Sequence, residues 1–125
     1  MFVLTGRGFH PDDVTNRVGL APSKTWRAGE QRGESLLRWE HDGWCLSTAC
    51  EETIDLGAQI QDLLSRLLPV ADLLVGVMDE FDLDAEIACE LSLQDQAPSI
   101  VLSPELLKNV LAVRAGIDID LLAIE

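Results

Sequence analysis

Lysine and arginine are scarce in this sequence, nine against twenty-two aspartates and glutamates, for a formal net charge of −13. Binding a phosphate backbone depends on clustered cations, so nucleic acid is excluded as a partner and a basic protein suits the chain better. Histidine is as sparse: His10 and His41 are the only two, and neither stands in an H-x-x-x-H or G-x-S-x-G setting. Cys45, Cys50 and Cys89 are odd in number and contain no C-x-x-C pair. A disulfide framework and a thiolate zinc site are therefore poor readings, and three reduced, small, mostly buried side chains are expected. No stretch approaches the roughly 18 consecutive apolar residues of a membrane span. The opening "MFVLTGRGFHPDD" also lacks the basic start and apolar run of a signal peptide. A cytoplasmic protein without membrane association is expected.

What is present fits one globular domain over residues 1–125, with 47% hydrophobic and 25% charged residues. The charge is unevenly spread. Residues 1–41 carry six basic and five acidic side chains, and residues 42–125 carry three basic and seventeen acidic ones.

"MFVLTG" reads as a short strand. "HPDDVTNRVG" reads as a helix with Pro11 at its first position, Asp12 and Asp13 at the positive end of the dipole and Gly19 as the stop. "SLLRWEHDGWCLST" suggests a hairpin over Leu36 to Thr48 turning at Asp42-Gly43. From Asp55, apolar Leu56, Ile60, Leu63, Leu64 and Leu67 fall on one helical face; Pro69 interrupts, and the period resumes to Phe81. Gly76 inside the second helix reflects either a close packing contact or simple tolerance. "AEIACELSLQ" alternates as a half-buried strand with an acidic outer face. Ser103 and Pro104 then start a helix running to about Arg114 and ended by Gly116, and "IDIDLLAI" closes as a strand. The order predicts an α+β fold: a ferredoxin-like split βαβ antiparallel sheet with helices on one face, plus a C-terminal helix and strand.

The run "GFHPDDVTNRVGLAPSKTWRAGE", then "GWCLST", a long amphipathic helix and the closing "LAVRAGIDIDLLAI" resembles the bacterial domain-of-unknown-function family four-two-seven-nine, almost end to end. The resemblance implies a single small α+β domain and transfers no catalytic residue. Small domains of this kind can stand beside toxin systems, so it also implies an immunity role by analogy.

No cofactor or metal motif is complete. "TGRGF" would need a glycine where Pro11 stands to bind a dinucleotide. An EF-hand starting at Asp82 would need glycine at Ile87 and glutamate at Leu93. Asp79, Glu80, Asp82, Asp84, Glu86 and Glu90 read instead as solvated carboxylates contributing to an acidic face. Cys/His catalysis would require Cys45 to meet a histidine in space. The fourteen residues "LAPSKTWRAGEQRG" place Trp26 between Lys24 and Arg27. Either Trp26 folds back over the sheet while Lys24, Arg27 and Arg32 pin the connection to the protein, or the loop contacts a ligand or partner.

Two functional expectations follow. The first is a non-enzymatic interaction protein presenting its acidic face to a basic protein partner. The second is a small-ligand module in which Lys24, Trp26 and Arg27 close over an anionic or planar ligand. A sheet edge or the helix pair also offers a surface for a homodimer.

Overall fold

A computed structural model describes residues 1–34, 36–48, 56–93 and 100–123. Its elements are β1 (Phe2–Gly6), α1 (Pro11–Val18), β2 (Lys24–Trp26), β3 (Asp42–Leu46), α2 (Leu56–Leu67), α3 (Ala71–Phe81), β4 (Asp84–Leu93), α4 (Pro104–Ala112) and β5 (Ala115–Ala123). The strands form one five-stranded sheet in the order β2-β3-β1-β4-β5. The β2–β3, β3–β1 and β1–β4 pairs are antiparallel, whereas β4 and β5 run parallel. The sheet is therefore mixed. The pairs among β2, β3, β1 and β4 are antiparallel, and the expected C-terminal edge strand β5 joins them in parallel, because α4 carries the chain back to the starting end of β4.

Period-two patterning explains which sheet face is covered. Phe2, Leu4, Trp44, Leu46, Ile87 and Leu91 all enter one buried cluster with apolar residues from α1, α2, α3 and α4. The helices thus lie on that face. Trp44 is fully buried, meets Phe2 edge-on at 6.5 Å, and donates from Nε1 to Thr15 Oγ1 of α1 at 3.0 Å. One indole thereby binds β3, β1 and α1 together.

The helix ends follow their caps. His10 Nδ1 accepts from the Asp12 N–H at 3.2 Å, and Gly19 takes the left-handed conformation. Pro69 replaces α-helix by a 3₁₀ turn over Leu68–Val70 between α2 and α3. Ser103 Oγ accepts from the Leu106 N–H at 3.1 Å to start α4. That helix stops earlier than expected, at Ala112. The left-handed residue is Arg114 (φ 53°), and Gly116 lies inside β5 opposite Glu86. Asp55 and Gln94, at the edges of two expected elements, lie outside the described residues, as does Cys50.

The expected Asp42-Gly43 hairpin turn is absent. Both residues sit within β3, opposite Gly6 and Thr5 of β1, and Gly43 also faces Trp26 of β2. A turn would expose Asp42, whereas burial of its carboxylate among backbone donors holds it in the strand. The true hairpin is β2–β3. Its long connection doubles back on itself through a bridge between Gln31 and Arg38 and backbone bonds joining Gly29 and Glu30 to Trp39. The segment expected to be one long loop thus contains a strand and one limb of a short ribbon, hereafter the arm.

Gly76 is exposed on α3, and nothing lies within 4 Å of where its Cβ would stand. Simple tolerance is the correct reading. Gly76→Ala should raise stability by about 0.5–1 kcal/mol through helix propensity, which a urea titration will measure.

Candidate functional site on the open sheet face

Residues directly opposite one another in paired strands share a face. The register therefore places Lys24, Trp26, Gly43, Cys45, Val3, Thr5, Asp84, Glu86, Glu90, Asp118 and Asp120 on the side away from the helices. Across this face the chemistry changes from aromatic and cationic at β2 to anionic at β4 and β5.

At the β2 end, Trp26 is only 7% exposed. One ring face rests on Gly43, where a Cβ would lie 1.9 Å from Trp26 Cε2. Trp39 from the arm stacks on Trp26, with centroids 4.2 Å apart and planes 17° apart. The Arg32 guanidinium lies 4.3 Å and Lys24 Nζ 5.3 Å from the Trp39 ring centroid. The layered order is glycine, indole, indole, cations. The Trp26–Trp39 stack and the Lys24 cation–π contact thus join the arm to β2, Arg32 of the arm lies over Trp39, and two of the chain's few cations are engaged by their own protein.

Asp42, next to Gly43 in β3 and on the opposite side of the strand, is buried, at 4% exposure. Its Oδ2 accepts from the Gly8 N–H at 2.8 Å, and its Oδ1 accepts from the Ala28 N–H at 2.9 Å and Arg27 Nε at 3.1 Å. Burial pushes the carboxyl up, but the Ala28, Arg27 and Gly8 donors outweigh it and hold Asp42 below the usual carboxylate range. One side chain thereby ties the β1–α1 connection and the root of the arm to β3. Sequence reading missed this residue because Asp before Gly is a strong turn pair, and nothing local marks it as a buried acceptor.

The carboxylates grouped together in the sequence divide in space. Asp79 accepts from Arg114 Nη1 at 2.6 Å, and both carboxylate oxygens of Glu80 accept from Arg17, so this pair is neutralised in the helix layer. Asp82 is the left-handed residue ending α3. Asp84, Glu86 and Glu90 line the open face and are joined by Asp118 and Asp120 of β5, with Ala88 opposite Asp118 and Glu90 opposite Asp120. Among the described residues none of these five carboxylates has an ion pair. Burial, then the charges of Asp118 and Asp120, push the Glu86 carboxyl up. The period-two pattern of "IDIDLL" marked Asp118 and Asp120 as one row; only the parallel pairing shows which neighbours they meet.

That upward shift has a definite sign. The folded state favours protonated Glu86, so its contribution to stability is fully present below the unfolded carboxyl value and lost as pH rises through the folded one. Glu86→Gln should therefore raise the melting temperature at pH 7, by about 1–3 °C for a partly screened site. The gain should shrink as pH falls towards 4, which scanning calorimetry across that range will follow.

A cleft of about 260 Å³ opens beside this face, lined by Thr5, Gly6, Arg7, His41, Phe81, Asp82 and Asp84. His41 Nδ1 is buried there, with no hydrogen-bond partner among the described residues. His10 Nδ1 serves the helix cap, so neither imidazole activates Cys45 through that nitrogen. Cys45 is buried, and Cys89 is half-buried with its thiol pushed up by burial and by Asp118, against the N-terminal ammonium. Both thiols are unbridged. Among the described residues no helix is long and apolar enough to cross a membrane.

No curated protein and no solved structure matches this chain. The family described as "Domain of unknown function (DUF4279)" matches residues 1–123, nearly the whole length, in agreement with the motif order seen in the sequence. The chain belongs to that family.

Proposed function

We propose that this protein is a non-enzymatic interaction protein that docks a basic protein partner on the β4–β5 half of its open sheet face. The observation that carries the reading is the row of carboxylates Glu86, Glu90, Asp118 and Asp120, none with a cationic partner among the described residues, on two adjacent strands about 4.8 Å apart. Like charges so close raise one another's cost of ionisation, and the charges of Asp118 and Asp120 add to burial in pushing the Glu86 carboxyl up. A cationic surface relieves that repulsion on binding. At low salt, the net charge of −13 would also steer such a partner in. A cytoplasmic, immunity-like role, in which the partner is a toxin or a nucleic-acid-handling enzyme, is the form of this proposal that the family resemblance suggests.

The arm supports the partner reading over the small-ligand alternative. Lys24, Trp26 and Arg27 are drawn together, but one face of Trp26 is against Gly43, the other is against Trp39, and Arg27 is committed to Asp42. No open indole face remains for a planar ligand to stack on. The strand order β2-β3-β1-β4 with antiparallel neighbours further supports a ferredoxin-like split βαβ for the first four strands, to which α4 and β5 are added.

The test uses the whole protein and a variant carrying Glu86→Gln, Glu90→Gln, Asp118→Asn and Asp120→Asn as paired baits in native extract. A basic protein should be retained by the wild type at low salt, released at high salt, and lost from the variant. Retention that the four substitutions leave unchanged would reject the acidic half as the docking surface.

A further inference from the structure

β5 is the outer strand on the side of the sheet away from β2, and it spans nine residues. Among the described residues no strand pairs with its outer edge. Alternate residues of such an edge aim N–H and C=O groups outward, ready to pair with another chain. The two side-chain rows of this strand differ in chemistry. Asp118 and Asp120 are exposed on the open face. On the helix side, Ile117 and Ile119 are half-buried, and Leu121 is 54% exposed although its neighbour across the ladder, Leu91, is buried. The helix that packs on β5, α4, adds Leu107 and Leu111, one turn apart and 45% and 72% exposed. A strand that is acidic on one face and apolar on the other is thus left with a free edge.

Building on the acidic half as the docking surface, we infer that the partner adds a strand to the free edge of β5. The fitting segment is extended and alternates Lys or Arg with aliphatic residues. Its cations meet Asp118 and Asp120, and its aliphatic side chains continue the row of Ile117, Ile119 and Leu121. Main-chain bonds supply affinity in this mode and the alternate side chains supply specificity. A second copy of this chain is the wrong occupant. Pairing two β5 edges would set the aspartates of one copy near those of the other and join two chains that each carry −13. Charge on an edge ordinarily blocks self-association. Here the same carboxylates that reject a like copy select a cationic strand.

The probes are nine-residue synthetic peptides: one alternating lysine and valine, one with the same composition in two blocks, and one alternating glutamate and valine. Two further analogues of the first carry N-methyl groups on every second amide, one in each frame. Labelled-peptide anisotropy gives affinity, and amide exchange reports on residues 115–121 of the whole protein. The alternating lysine peptide should bind about tenfold tighter than the block peptide and slow exchange at alternate β5 amides. N-methylation should abolish binding in one frame only, the glutamate peptide should not bind, and Asp118→Asn with Asp120→Asn should weaken the lysine peptide about tenfold. Equal binding by the alternating, block and both N-methylated lysine peptides would overturn strand addition while leaving an acidic docking face. Failure of every lysine peptide at low salt would overturn both, and equal binding of the glutamate peptide would overturn charge selection.

Discussion

Asp42→Ala should cost about 3–5 kcal/mol, the scale for losing a buried carboxylate that accepts three hydrogen bonds at once. The substitution leaves the Gly8 and Ala28 N–H groups and Arg27 Nε without the acceptor they share. All three donors lie at a part-buried site, and each bond to a charged acceptor is stronger than an ordinary one. The β1–α1 connection and the root of the arm should loosen together, because one carboxylate holds both. Urea unfolding followed by tryptophan fluorescence will give the loss. pH supplies a second readout: Asp42 is held below the usual carboxylate range, so its contribution is present above the unfolded value of about 3.9 and fades as pH falls through the lower folded one. The stability difference between wild type and Asp42→Ala should therefore narrow only below about pH 4. A loss below about 1 kcal/mol, the worth of one ordinary hydrogen bond, would show that the three donors are satisfied elsewhere.

Gly43→Ala should be nearly as damaging for a purely steric reason. The added methyl would stand 1.9 Å from Trp26 Cε2, 2.1 Å from Cζ2 and 2.4 Å from Nε1. The indole cannot yield by a small rotation, because Trp39 is stacked on its other face. It must leave the sheet, taking the stack and its burial with it, at about 2–4 kcal/mol. Near-ultraviolet circular dichroism will report this directly, since the paired-indole contribution should vanish while the buried Trp44 retains its own. A variant that keeps both the dichroism and the stability would mean that the arm is not seated over Gly43. Both substitutions act in β3 at the end next to β2, so the proposed docking of a basic partner on β4 and β5 should survive them in whatever fraction remains folded.

The elements that the sequence made plain are those whose cues are local. Pro11 with Asp12 and Asp13, Ser103 with Pro104, and the spacing of Leu56 to Leu67 depend on neighbours within a turn or two of helix, and α1, α2 and α4 lie where those cues put them. Asp42-Gly43 shows the opposite case. Its local chemistry favours a turn, yet bonds to residues 34 and 14 positions away hold it in a strand. Trp26 posed a choice that sequence could frame without deciding, because its burial depends on Trp39 returning along a ribbon with no strong strand pattern. The acidic face was legible in part. Period two put Glu86 and Glu90 on one row and Asp118 and Asp120 on another, whereas the parallel pairing that unites them comes from the path of α4. Asp79 and Glu80 looked like members of the same face because they are close in sequence, but helical geometry turns them to Arg114 and Arg17 instead.

On the proposed function, a basic partner docks on the β4–β5 half of the open face. Amide exchange of the protein with and without the partner captured at low salt tests it most directly. Protection should concentrate in residues 84–91 and 115–121, with the exposed surfaces of α1 and α3 unchanged. Protection confined to those helices, or to the arm, would contradict it.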